Sequence, residues 1–76
     1  MNTSLFVGLC EDAGLGVKFD CDEVLVDDLN GNNIAIIDEQ VLALYSIDTY
    51  GASKEQAVKV GEIVVPYALT PIEERE

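Results

Sequence analysis

Asn30-Gly31 stands between two β-branched runs, Val24–Asp28 and Ile34–Asp38, and this dipeptide constrains the fold more than any other feature of the chain. Both residues accept positive φ at low cost, so Asn-Gly flanked by strand-like runs is a strong short-range hairpin signal. Leu29, Asn32 and Asn33 lengthen the connection beyond two residues. Upstream, Val17, Phe19 and Cys21 alternate with Lys18, Asp20 and Asp22, the period of a half-buried strand. The alternation slips at Glu23 and resumes at Val24 and Val26, which calls for a bulge or a sharp bend.

The flanking segments extend this pattern. Ser4 to Cys10 is a short, nearly continuous apolar run bounded by Glu11-Asp12 and Gly14-Leu15-Gly16, and it fits a buried strand. Residues 41–47 suit either element, with the shortness of the run favouring a strand. Ser53 and Gln56 form the two ends of a helix-starting box. Gly61 and the β-branched Val58, Val60, Ile63, Val64 and Val65 argue against a long helix and for a strand over 58–65 with a bulge at Gly61. Pro66 limits further pairing. Thr70-Pro71 followed by acids opens at most one helical turn. The expected architecture is all-β, or mostly β with one short helix, with five to six strands in a small barrel-like or strongly twisted antiparallel sheet. No helix should exceed about two turns. Residues 1–70 would form the single domain and 71–76 an acidic C-terminal tail.

Residues 58–65, Val-Lys-Val-Gly-Glu-Ile-Val-Val, resemble the Val-Lys-Val-Gly-Asp-x-Val strand of GroES-like co-chaperonins, with Val41-Leu42-Ala43 one loop upstream. The resemblance implies a small barrel and carries no function. Residues 28–39 are similar to an EF-hand calcium loop, with oxygen-bearing side chains at positions one, three and five and a glutamate at twelve. That resemblance implies Asp28, Asn30, Asn32 and Glu39 as ligands, with the Ile34 carbonyl. Asn33 replaces the glycine of position six, Ala35 the larger aliphatic of position eight, and Ile36 offers no oxygen at position nine. The stretch before the loop alternates like a strand, so a hairpin is the preferred reading and no cofactor or metal is expected.

With 76 residues and 49% of them apolar, the chain has more hydrophobic side chains than so small an interior holds. Exposed apolar surface marks contact sites, so a homodimer is expected, with Ile63, Val65 and Tyr67 at its interface. Cys10 and Cys21 read as separate reduced thiols in a chain whose first residues lack a signal peptide, and no apolar run is long enough to span a bilayer. The expected location is cytoplasmic.

Histidine is absent, which removes the usual acid–base residue and the commonest zinc ligand. No phosphate-cradling motif is present, and adjacent Asp27 and Asp28 would point to opposite faces of a strand. No enzyme is expected. Net charge is −11, and nine carboxylates against Lys18 alone place −8 of it in residues 11–39. Four basic residues are too few for nucleic-acid phosphates, whereas a basic protein suits this field. Glu11, Asp12, Asp20, Asp22, Glu23, Asp27 and Asp28 form the expected partner-binding face. In composition the chain looks like the small inhibitors that phages deploy against host defence or nucleic-acid enzymes, some of which imitate DNA charge. Alternate carboxylates on one strand lie about 6.6 Å apart against one charge per about 1.7 Å of duplex, so DNA mimicry requires several strands together. The leading function is a non-enzymatic, acidic inhibitor or modulator of a basic, nucleic-acid-handling protein. A calcium module and a barrel-shaped structural or assembly subunit are the alternatives.

Overall fold

The computed structural model describes residues 1–76. Its elements run α1 (Thr3–Asp12), β1 (Gly16–Asp20), β2 (Glu23–Asp27), β3 (Asn33–Asp38), β4 (Tyr45–Ile47), α2 (Lys54–Ala68) and a closing 3₁₀ turn (Ile72–Glu74). The strands form one open antiparallel sheet in sequential order, β1-β2-β3-β4. Both helices pack on a single face of that sheet. The fold is a two-layer α+β sandwich, not the all-β barrel or five-to-six-stranded sheet expected from the sequence.

Two segments account for the difference. The apolar run at 4–10 lies inside α1, a helix of 10 residues. Its start is fixed by Asn2, whose side chain accepts from the Leu5 amide at 2.8 Å. Its end is fixed by Gly14, at φ 78°. The Gly14 amide donates to Glu11 O at 3.0 Å and the Leu15 amide to Cys10 O at 2.8 Å, the paired bonds of a Schellman motif. Leu15 then turns into the core. The segment expected as a bulged strand over 58–65 is the middle of α2, a helix of 15 residues. Ser53 does cap it, accepting from the Gln56 amide at 3.1 Å. The buried residues Val60, Ile63, Val64, Tyr67 and Ala68 follow the i, i+3, i+4, i+7, i+8 spacing of one helical stripe. Burying that stripe outweighs the few tenths of a kcal/mol per residue by which β-branched residues disfavour a helix. The likeness to a co-chaperonin strand at these residues therefore does not describe their structure.

The middle of the chain matches its pattern. Strand β1 pairs with β2 through the two-residue connection Cys21-Asp22, and this hairpin is the sharp bend behind the phase slip at Glu23. Strands β2 and β3 form the Asn-Gly hairpin, with Gly31 at φ 83° and a bulge at Val26/Asp27. The Asn33 side chain donates through Nδ2 to Val26 O and Ala35 O, satisfying carbonyls beside that bulge. Cross-strand partners give the helix-covered face two rows, Val17-Val26-Ala35-Ile47 and Phe19-Val24-Ile37-Tyr45. Their central members join Phe6, Cys10, Leu15, Ile34 and the α2 stripe in one core of 13 buried residues. The opposite face carries the row Lys18-Leu25-Ile36-Ser46 and is covered by no helix.

Gly61 occupies the interior of α2, and a Cβ built there meets nothing within 4 Å. Gly61→Ala should therefore stabilise the fold by about 0.5–1 kcal/mol through helix propensity alone. Thermal unfolding followed by circular dichroism should show a higher Tm. A lower one would contradict a helix at this position.

Candidate interaction surface

The meander sends alternate turns to opposite ends of the molecule. One end holds the β1–β2 turn, the β3–β4 connection and the C-terminus of α2, where the Ala43 amide donates to Ala68 O at 2.9 Å. The other holds the Asn30-Gly31 loop, the β4–α2 connection and the C-terminus of α1.

Arg75 organises the first end. Its guanidinium is buried, with 2% of the residue exposed. Nε donates to Thr70 O at 3.0 Å, Nη2 to Ala68 O at 3.0 Å, and Nη1 to Asp38 O at 2.8 Å and Glu39 Oε2 at 2.6 Å. It also lies 4.9 Å from the centre of the Tyr67 ring. The Tyr67 hydroxyl donates to Glu39 Oε1 at 3.1 Å and shares a hydrogen with Thr3 Oγ1 at 3.0 Å. The Tyr67 ring also stacks on Phe6, with ring centres 4.1 Å apart. The Thr3 amide closes the circuit by donating to Arg75 O. Residues 71–76 are thus not simply a solvating tail: Glu73, Glu74 and Glu76 are exposed, but Arg75 ties both helices to β3.

This geometry sorts the carboxylates. The Glu39 amide donates to Asp22 O at 2.7 Å, so the β1–β2 turn abuts the Arg75 network. Asp20, Asp22, Glu23, Glu73, Glu74 and Glu76 stand exposed around it. Arg75 is the one basic side chain at this end, and it is enclosed. Beside the acids stand the exposed apolar residues Val41, Leu42, Leu44 and Leu69, each with just over half its surface free. A shallow depression of about 260 Å³ on the uncovered sheet face joins the two kinds of surface, lined by Glu23, Ile36, Asp38, Leu44, Tyr45 and Ser46. Two carboxylates over an aliphatic floor suit a lysine or arginine, whose stem is apolar and whose head is charged.

The remaining expected acids lie elsewhere. Glu11 and Asp12 end α1 near the far end of the β1–β2 hairpin, where Gly16 pairs with Asp27. Asp27 is buried against Lys18, 3.1 Å away. Asp28 is occupied by its own loop, accepting from the Asn30 and Asn32 amides at 2.9 Å each. These bonds hold its carboxyl below the usual range, the Asn32 amide contributing most. The seven carboxylates expected as one face are therefore two groups, Asp20, Asp22 and Glu23 at one end and Glu11, Asp12, Asp27 and Asp28 at the other.

The EF-hand ligand set is divided the same way. Asp28, Asn30 and Asn32 stay together in the hairpin loop, while Glu39 sits beyond the far end of β3 in the grip of Arg75 and Tyr67. Six strand residues separate them, about 20 Å. No group of three or more metal-ligating acids or cysteines forms anywhere in the chain. The expected dimer contacts also fall differently. Ile63 and Tyr67 are core residues, exposed by 4% and 0%, and only Val65 of the three is half-buried. The α2 stripe turns them inward, against β3 and α1. Cys10 is enclosed and Cys21 exposed at its turn, and both are free thiols. No helix is long and apolar enough to cross a membrane. The chain matches no protein-family profile, no curated protein and no solved structure.

Arg75→Ala removes a buried cation and leaves the Ala68, Thr70 and Asp38 carbonyls and the Glu39 carboxylate without it. The expected cost is about 3 kcal/mol or more, a large share of what a domain this size has. Removing residues 71–76 should lower the denaturation midpoint comparably, and a truncated chain melting like the parent would contradict the network.

Burial pushes the Cys10 thiol up from 9.0 to about 11, with Glu11 adding to the shift. Burial also raises the Tyr67 hydroxyl above its ordinary 10.0. Both are held neutral in the fold where the unfolded chain ionises them, so their contribution is complete below about pH 9 and is lost as pH rises through 9 to 11. The Tm should fall across that window, and in Cys10→Ala the fall should begin about one pH unit later.

Proposed function

We propose that this protein is a non-enzymatic binding module whose acidic end docks on a basic surface of another protein, which it inhibits or modulates. The supporting observation is the surface around Arg75: six exposed carboxylates, no exposed basic side chain to neutralise them, the Met1 ammonium being bonded to Thr70 Oγ1 at 3.1 Å, and four exposed aliphatic side chains beside them. Charge kept only for solubility works best when spread over a surface and mixed in sign. Here acids and apolar residues share one end, the combination that gives an interface both encounter rate and a dry centre. A basic protein that handles nucleic acid offers the complementary surface, and a small inhibitor of such an enzyme, of the kind phages use against host defence, is the biological role proposed.

Long-range attraction between exposed charges is screened over roughly 8–10 Å at physiological salt. The association rate with the captured partner should therefore fall as salt rises from about 50 to 300 mM, with a smaller change in dissociation. Affinity capture from the native host, using the parent and Asp22→Lys with Glu23→Lys side by side, identifies the partner. The charge-reversed chain should lose the partner while keeping its Tm. Glu11→Lys with Asp12→Lys, at the far end, should retain it. Equal capture by all three would remove the acidic end as the recognition surface and leave its carboxylates a solubilising role.

A further inference from the structure

We infer that β1 is a dimerisation strand, pairing antiparallel with β1 of a second copy of this chain about a twofold axis at Phe19. Strand β1 is an edge of the sheet, and no backbone or side-chain hydrogen bond reaches its open side. Residues flanking a two-residue hairpin connection exchange both ladder bonds, so Asp20 and Glu23 form a bonded pair and the amides of β1 alternate from there. Lys18 and Gly16 therefore bond inward to β2, while Phe19 and Val17 aim their N–H and C=O groups outward. The other edge, β4, offers only three residues.

Charge selects the register. An antiparallel pair centred on Lys18 would set two lysines directly opposite each other. Centred on Phe19, the pair sets Lys18 against the second copy's Asp20, and Asp20 against its Lys18. The outward N–H and C=O of Phe19 then meet those of the second copy's Phe19 across the axis, and the pairing ends at Asp20, since Cys21 turns away at φ 52°. The two ion pairs lie on the uncovered face of the sheet, and the two phenylalanine rings meet on the helix-covered face. Phe19 is 57% exposed in the single chain although its row partners Val24 and Ile37 are fully buried, so it has surface to lose on pairing. The result is a continuous eight-stranded sheet. The interface shares Asp20 with the acidic recognition surface but not Asp22 or Glu23, so capture by Asp22→Lys with Glu23→Lys and dimerisation by Phe19→Pro are read separately.

Sedimentation velocity at micromolar concentration and about 150 mM salt tests the inference, since screening there damps the repulsion between two chains of charge −11 but not contacts within an ion pair. The parent should sediment as two 8.2 kDa chains. Asp20→Lys turns both ion pairs into like-charge pairs while leaving the Lys18–Asp27 bridge of the single chain intact, and should weaken the dimer roughly tenfold or more. Phe19→Pro removes an outward amide that the monomer does not use, and should give a folded monomer with the parent's circular dichroism. A parent that stays monomeric, or a dimer indifferent to Phe19→Pro or to Asp20→Lys, would overturn the inference.

Discussion

A single buried cation holds this fold closed. The two helices lie side by side over a sheet that reaches only four strands. At one end the last carbonyls of α2, the end of β3 and the first turn of α1 all converge, and each brings polar groups that a small core cannot leave unpaired. Arg75 meets them with four donated hydrogen bonds, and the same guanidinium lies against the Tyr67 ring that forms the floor of the site. Arginine suits the position because its five donors are fixed in a plane and its charge is weakly hydrated. A lysine there would reach one carbonyl and leave the others dry. The cost of burying the charge is offset by Glu39, which Tyr67 also orients.

That network lies downstream of everything local sequence patterns report. The β-rich centre was legible because its signals are short-range: alternation over 17–27, a slip at Glu23 that proved to be a two-residue turn, and Asn-Gly with the φ it needs. The helices were less so for a different reason in each case. The run at 4–10 is apolar at nearly every position, so its periodicity does not separate strand from helix, and only Asn2 and Gly14 mark a helix with caps at both ends. In α2 the helical stripe 60, 63, 64, 67, 68 was present in the sequence beside a period-two subset, 58, 60, 63, 65, and the β-branched residues tipped the reading toward the strand. Which spacing prevails depends on what lies opposite, and α1 supplies the opposing surface for a helix.

The acids show the same limit. Nine carboxylates crowd residues 11–39, but proximity in sequence became proximity in space only within turns. A strand of five residues carries the chain about 13 Å from one end of the molecule to the other, so each hairpin moves its acids apart. Asp27 and Asp28 were spent on Lys18 and on a loop, Asp38 on the amides of Gln40 and Val41, and Glu39 on Arg75. What remains free is Glu11 and Asp12 at one end and, at the other, the turn trio Asp20, Asp22 and Glu23, joined there by Glu73, Glu74 and Glu76 from the far end of the chain. Those last three were invisible from sequence because only the burial of Arg75 brings them there.

The apolar fraction completes the argument. Thirteen core side chains exhaust the interior, and ten large hydrophobic residues remain exposed. A chain this short has too much surface for its volume to hide them, so their placement is the informative part. Leu42, Leu44, Val41 and Leu69 gather beside the free acids, while Phe19 sits alone on an open strand edge. Each group lacks what the other environment offers: the first has charge around it but no strand edge, the second has unpaired amides and a matched lysine and aspartate. The two proposed contacts, with a basic surface and with a second copy of the chain, thus draw on one shortage of interior.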